Sequence, residues 1–273
     1  MSVDADTDAL AARDLLVSAA REAGALALEH FNPGGRTSAR VVTKAGGSPV
    51  TDADLAADSF LKRRLLEALP DAGWLSEETA DDFERLSRRS LIIVDPIDGT
   101  RAFVIGDPRW AVSVALVVDE RPVAGVVYAP ALDEIYAAAR GKGATFNGVV
   151  LSPAAGWPPR AAAGPKLVIE AMAAELGVSV EIIPRVPALA YRLCLAARGA
   201  IDFAVAAENS HDWDIAAADI LLEETGARLI DASGERLGYN SRQVRRGALL
   251  AASDIGAPRL IKGFRAAIGS SKT

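Results

Sequence analysis

"LIIVDPIDGT", Leu91–Thr100, is the stretch that decides how this chain folds. Leu91-Ile92-Ile93-Val94 has the length and β-branched content of a buried strand. It runs straight into Asp95, a proline and Asp98. A strand that ends in Asp-x-x-Asp places both carboxylates at one edge of a sheet. There they can converge on a hard divalent cation, because oxygen ligands suit Mg²⁺. The carbonyl of Ile97, between them, can add another oxygen. Gly99-Thr100-Arg101 reads as a helix start, whose backbone N–H groups favour an anion such as phosphate. The same residues also fit a plainer reading, in which Asp98 caps a helix and Asp95 forms a turn.

Outward from this stretch, local patterns predict alternating elements. Upstream, Asp8 to about His30 carries apolar residues at helical spacing, and "FNPGGRTS" ends that helix. Val41-Val42 reads as a short strand. "GGSPVTDADLAADSFLKRRLLEALP" is a turn followed by a helix with a Leu61, Leu65, Leu69 stripe, closed by Pro70. Downstream, "WAVSVALVVDERPVAGVVY" is a hairpin with a polar turn, and "EIYAAARGKGATFNG" gives two more short strands. Ser152 to Gly164, rich in Pro, Ala and Gly, reads as a linker or irregular connection. Beyond it, Lys166 to Ile169 and Val178 to Ile183 suggest strands, and Ala188 to Arg198 and Ile215 to Thr225 suggest helices. The expected organisation is an α+β half, 1–150, carrying most of the acids, and an α/β half, 151–273, completing the site.

The bulk properties narrow the function classes. The 273 residues carry a net charge of −6, the opposite of what a general DNA or RNA backbone binder shows. A small anionic substrate stays compatible if cations are supplied locally. No apolar run reaches the length of a membrane helix, and the acidic N-terminus lacks the regions of a signal peptide. The single cysteine, Cys194, excludes an internal disulfide and fits a reducing cytoplasm. No Walker loop or G-x-S-x-G elbow is present.

Three more acidic stretches accompany the first. "SPVTDAD" places Asp52 and Asp54 at a helix N-terminus. "WLSEET" places Glu77 and Glu78 at a strand end. "HDWDIAAAD" places Asp212 and Asp214 at another helix N-terminus. Acids at helix starts also simply complement the macrodipole. In this order, "PVTDAD", "SEE", "DPIDGT" and "WDIAAA" resemble the signature set of the inositol monophosphatase superfamily, over roughly Leu10 to Ala252. The resemblance implies a layered α-β-α-β-α sandwich and a lithium-sensitive, Mg²⁺-dependent phosphomonoesterase using two or three ions. It implies Glu77, Asp95, the Ile97 carbonyl, Asp98 and Asp214 as metal ligands, with Asp95 bridging. It implies Asp54 and Thr100 as the pair that orients and activates water, and the amides of Gly99 and Thr100 as the phosphate cradle. It further implies a small phosphorylated substrate; with the charge, hydropathy and single cysteine above, the expectation is no nucleic acid polymer or membrane as partner and a cytoplasmic protein, monomer or homodimer.

Substrate signals are weaker. The inositol-contacting glutamate of the family falls in register on Ala207, with Glu208 one place away, and "PALAYRLC" stands where the family has a Gly-Ser pair. "GSPVTDADLAAD", "DPIDGTRAF" and "ERLGYN" look like bacterial 3'(2'),5'-bisphosphate nucleotidases, which act on 3'-phosphoadenosine 5'-phosphate. Arg192 and Lys44, with Arg101, are candidate contacts for a second phosphate, and Glu208 for a ring hydroxyl. Inositol 1-phosphate, histidinol phosphate and sugar phosphates remain alternative substrates. A non-catalytic binding module is the alternative of a different class, and a degenerate acid set would be its mark.

Overall fold

The computed structural model describes residues 5–152 and 157–270. The chain begins with α1 (Ala5–Leu28), the hairpin β1 (Val41–Thr43) and β2 (Pro49–Thr51), and α2 (Asp52–Ala68). There follow β3 (Gly73–Ser76), β4 (Ser90–Asp98), the short helix α3 (Thr100–Ile105), β5 (Ala111–Val118), β6 (Arg121–Ala129), β7 (Glu134–Ala139), β8 (Ala144–Phe146) and β9 (Val149–Val150). The remainder is β10 (Ala161–Ala163), α4 (Lys166–Leu176), β11 (Glu181–Ile182), α5 (Leu189–Ala197), β12 (Phe203–Ala206), α6 (Asp212–Glu224), β13 (Ala227–Ile230), β14 (Leu249–Ser253) and α7 (Ala257–Ser270).

Strands β3 to β9 form a seven-stranded sheet in sequence order, and β11-β10-β12-β14-β13 form a five-stranded one. Helices α1 and α2 cover one face of the large sheet, α5 and α6 lie between the sheets, and α4 and α7 cover the outer face of the small sheet. The result is the α-β-α-β-α layering expected above.

The apolar run explains why β4 is central. Alternate side chains of a strand point to opposite faces. Leu91 and Ile93 enter the core shared with α5 and α6, while Ile92 and Val94 enter the core beneath α1 and α2. Both faces are buried, so the run has no polar alternation. The β5–β6 hairpin turns on Asp119 and Glu120, at φ 49° and 64°, the pair of left-handed residues that a tight hairpin turn demands. On β6, Gly125 lets α6 approach closely: a Cβ there would lie 2.6 Å from Ile220 Cγ2 and 2.7 Å from the Ala217 carbonyl oxygen.

Three readings of local pattern are corrected. Lys166 to Ile169 opens α4 rather than a strand. Pro165 sets the helix start, and Ile169 and Met172, three apart, are its buried face. Only Glu181–Ile182 of the expected Val178–Ile183 strand pairs, as an edge beside β10. Within the expected connection Ser152–Gly164, Ala161–Ala163 is an interior strand between β11 and β12, and 153–156 lie outside the described residues. Alanine carries little strand propensity, so tertiary pairing decides that segment.

A buried arginine ties distant parts of the chain together. Arg85 is 1% exposed. It donates to Asp81 Oδ1 at 3.0 Å and Oδ2 at 2.7 Å, to Asn240 Oδ1 at 3.1 Å and to the Ser241 carbonyl at 2.9 Å. Removing it takes the donor from Asp81 Oδ2, Asn240 Oδ1 and the Ser241 carbonyl, while Asp81 Oδ1 keeps the Phe83 amide at 3.0 Å. Arg85→Ala is expected to lower unfolding stability by about 3 kcal/mol. A denaturant titration reading a loss under about 1 kcal/mol would show that the network contributes little.

Candidate active site

The acids that local pattern placed at element ends meet in one cleft because the β3/β4 register and α6 bring those ends together. Ser76 pairs with Val94 in the parallel β3–β4 ladder, and the Glu77 amide donates to the Val94 carbonyl at 3.2 Å. Glu77 therefore stands beside Asp95. On the other side, Asp95 pairs with Ser113 of β5, whose hydroxyl donates to the Trp213 carbonyl at 3.1 Å. That contact docks the first turn of α6, and with it Asp214, against the same strand end. One carboxylate oxygen from each of Asp95, Asp98 and Asp214 lies within 4.8 Å of the others.

Each acid also has a local structural duty. Asp98 accepts the amides of Leu189 at 3.0 Å and Ala190 at 2.6 Å, so it caps α5. Asp95 accepts the Ile97 amide at 3.1 Å, closing a turn. The plainer reading of this stretch is realised for the Asp95 turn, while Asp98 caps the distant α5 and leaves α3, whose N-cap is Gly99, without a side-chain cap. Asp214 accepts the His211 amide at 2.6 Å at the start of α6. Asp54 Oδ2 accepts the Thr51 amide at 2.8 Å and hydroxyl at 2.6 Å, while its Oδ1 lies 3.2 Å from the Thr100 hydroxyl. Thr100 Oγ1 is also 3.1 Å from the Ile97 carbonyl, so its single proton chooses between the two acceptors.

Burial and mutual repulsion make the cluster strongly proton-holding. Burial pushes Asp98 up to about 7, against the Leu189 and Ala190 amides and Arg192 that pull it down. Asp95, only 2% exposed, is raised by burial and then by repulsion from Glu77, Asp98 and Asp214. Asp214 is raised by burial and then by Asp98. Asp54 is raised to about 6 by burial, opposed by hydrogen bonds from Thr51 and Thr100. Repulsion of this kind is relieved by bound cations. The donors are all carboxylate or carbonyl oxygens, and ligands on a single Mg²⁺ sit about 3–4 Å apart given its roughly 2.1 Å bonds. The residues present therefore fit a hard divalent cation, and the cluster found among the described residues contains no sulfur or imidazole ligand of the kind that favours zinc.

The cleft encloses about 160 Å³. Its inner wall is Glu77, Asp95, Asp98, Asp214 and the Gly99-Thr100 turn, where α3 begins. Gly99 is at φ 88°, and a Cβ there would press on Ala188 at 3.3 Å, so the turn packs directly against the lead-in to α5. The outer wall is Ser48, Pro49, Arg101, Arg185 and Pro187.

Of the expected substrate contacts, Gly99, Thr100 and Arg101 line the cleft, whereas Lys44, Arg192 and Glu208 do not. Lys44 donates to Glu77 Oε1 at 2.9 Å and Glu78 Oε1 at 2.8 Å. Burial works against its charge, but the Glu78 and Glu77 hydrogen bonds win and its pKa is raised. Glu78, with its side chain 3% exposed, is raised to about 7 by burial despite Lys44. Arg192 has a buried Nε with no hydrogen-bond partner and interacts electrostatically with Asp98 from behind the cleft wall. Glu208 is exposed in the connection between β12 and α6. None of Lys44, Arg192 and Glu208 lines the cleft.

Two residues were missed. Asp58, four positions after Asp54 on the buried face of α2, accepts the Ser76 hydroxyl and, at 2.6 Å, the Thr79 hydroxyl. It thereby braces the segment that carries Glu77. The i, i+4 spacing of two acids in "TDADLAAD" is the signal that could have found it. Arg185 sits in an irregular stretch with no periodicity, so nothing in its sequence context marks it.

The chain matches the inositol monophosphatase family over residues 10–268. It is 30% identical over 254 residues to inositol monophosphatase 2 of Solanum lycopersicum, covering 85% of this chain and 91% of that protein. It is 31% identical over 249 residues to the 3'(2'),5'-bisphosphate nucleotidase CysQ of Aggregatibacter actinomycetemcomitans, covering 84% of this chain and 87% of that protein. A solved IMPase from Thermotoga maritima superposes with a TM-score of 0.79 at 25% identity, covering 94% of this chain and 98% of the other.

Proposed function

The chain belongs to the inositol monophosphatase family and is a phosphatase, and from that premise we propose that it is a Mg²⁺-dependent, lithium-sensitive 3'(2'),5'-bisphosphate nucleotidase acting on 3'-phosphoadenosine 5'-phosphate. The observation that carries the reaction class is the convergence of Asp95, Asp98 and Asp214 on one point. Glu77, Asp95, Asp98, Asp214 and the Ile97 carbonyl would hold the magnesium ions. When bound, these ions would screen the phosphate dianion, acidify water and stabilise the departing alkoxide.

The chain's own groups do the rest. Thr100 Oγ1, 3.2 Å from Asp54 Oδ1, is placed to orient the attacking water and relay its proton to that carboxylate. Asp54, raised to about 6, has a basicity suited to accepting a proton near neutral pH. Thr51 locks its other oxygen at 2.6 Å, which fixes the carboxylate plane. The amides of Gly99 and Thr100, at a helix start without intrahelical acceptors, serve the phosphate oxygens. Water oxygen bonds to phosphorus, the ester P–O bond breaks, and alcohol and inorganic phosphate leave.

The outer wall supports the nucleotide reading. Two prolines and two arginines make up most of that wall. Prolines suit an apolar ring, and arginines suit an anion. With equal Mg²⁺, kcat/KM for 3'-phosphoadenosine 5'-phosphate is expected to exceed that for inositol 1-phosphate by about ten-fold or more, the worth of one charge-assisted contact. Faster phosphate release from inositol 1-phosphate would overturn the nucleotidase reading.

A further inference from the structure

We propose that Arg185 is the specificity-determining residue of the cleft, binding a second anionic group of the substrate apart from the scissile phosphate. This rests on the nucleotidase reading above and extends it to a named contact.

Arg185 shares the cleft with Glu77, Asp95, Asp98 and Asp214. Its guanidinium makes no hydrogen bond or ion pair among the described residues, although four carboxylates line the same cleft. It is exposed, whereas the acids are set deeper. An arginine left unpartnered at the rim of an acidic cleft has its planar fork available for an incoming anion.

Its main chain is anchored. Arg109 Nη1 donates to the Arg185 carbonyl at 2.9 Å, and Arg109 is itself held by Asp107 through Nε at 2.9 Å and Nη2 at 2.6 Å. Two residues on, Pro187 lines the cleft, and Ala188 packs on Gly99. Arg185 thus projects from a segment whose next residues touch the phosphate turn. Pro187 and Ala188 have no side-chain donor or acceptor, so Arg185 is the polar group this wall segment offers. The other cation of the wall, Arg101, already reaches the Gly47 carbonyl at 3.4 Å. The cations expected earlier to meet a second phosphate are engaged or withdrawn: Lys44 by Glu77 and Glu78, Arg192 behind Asp98.

The test compares two substrates that differ in one anion. Adenosine 3'-phosphate and 3'-phosphoadenosine 5'-phosphate carry the same ring and 3'-phosphate, and only the second carries a 5'-phosphate. kcat/KM is measured for both on the full chain with Mg²⁺, for wild type, Arg185→Ala and Arg185→Lys. The wild type is expected to prefer the bisphosphate. In Arg185→Ala the loss on the bisphosphate should exceed the loss on the monophosphate by about ten- to a hundred-fold. Arg185→Lys should recover part of the preference through charge without the bidentate fork. Circular dichroism and a melting curve establish that the variants fold. An equal loss on both substrates, or an unchanged ratio, overturns the assignment to Arg185 and leaves the nucleotidase reading standing. A wild type with no preference for the bisphosphate overturns both that reading and this contact, with the phosphatase activity intact.

Discussion

Asp95→Asn is expected to lower kcat/KM by about a thousand-fold or more, equivalent to roughly 4 kcal/mol of lost transition-state stabilisation. Asp95 is the carboxylate that faces every other acid of the cluster: repulsion from Glu77, Asp98, Asp214 and Asp54 all raises its pKa, after burial. Under the proposed function, a group at the centre of that repulsion would be the one shared between cations. Asparagine keeps the shape and an acceptor oxygen for the Ile97 amide, so the turn should survive. Removing a buried charge from among like charges should also leave the metal-free variant as stable as wild type or more so. Lost turnover with undiminished metal-free stability separates a ligand from a structural aspartate. Glu78→Gln is the contrast. Glu78 meets Lys44 and does not line the cleft, so its loss should change turnover by less than about ten-fold. Similar rates in two folded variants would show that Asp95 is not a ligand.

The metal-free protein is expected to lose stability as pH rises, and Mg²⁺ to restore it. Asp98 is raised from 3.8 to about 7, and Asp95 and Asp214 move in the same direction, all chiefly by burial. Between the ordinary carboxylate pKa and these raised values, the folded chain holds protons that the unfolded chain has released. Stability therefore falls with rising pH across that window. Asp219, raised to about 7, and Asp212, raised to about 6, add to the same trend, both by burial. His211, pushed below 6.5 by burial, opposes it as a single group in the acid part of the window. Asp81 and Asp107, lowered from 3.8, contribute stability that is lost only at lower pH. In excess chelator the melting temperature is expected to drop by about 5 °C or more from pH 5.5 to pH 8. Magnesium should raise it more at pH 8, where the carboxylates are free to ligate, than at pH 5.5, where protons compete. The same chelator should abolish phosphate release. A melting temperature flat across this range, or an equal Mg²⁺ effect at both pH values, would contradict the picture of a repulsive cluster relieved by cations.

Much of this protein follows from local sequence. The β4 run, the β5–β6 hairpin with its polar turn, and the helices α1, α2, α5 and α6 are each encoded within one element, by periodicity and end signals. The acids were legible for the same reason: Asp95, Asp98, Glu77, Asp54 and Asp214 stand at strand ends and helix starts, where a carboxylate is conspicuous beside apolar neighbours. Tertiary structure alone decided what lies across space. Alanines 161–163 are a strand because β11 and β12 flank them. Lys44 is held by glutamates more than thirty residues on, and Asp98 caps a helix about ninety residues away. Arg185 shares a cleft with four acids and has no ion pair among the described residues. Periodicity reports which face of an element is apolar. Which charge a side chain meets depends on how separate elements dock, and docking is set by the packed core as a whole.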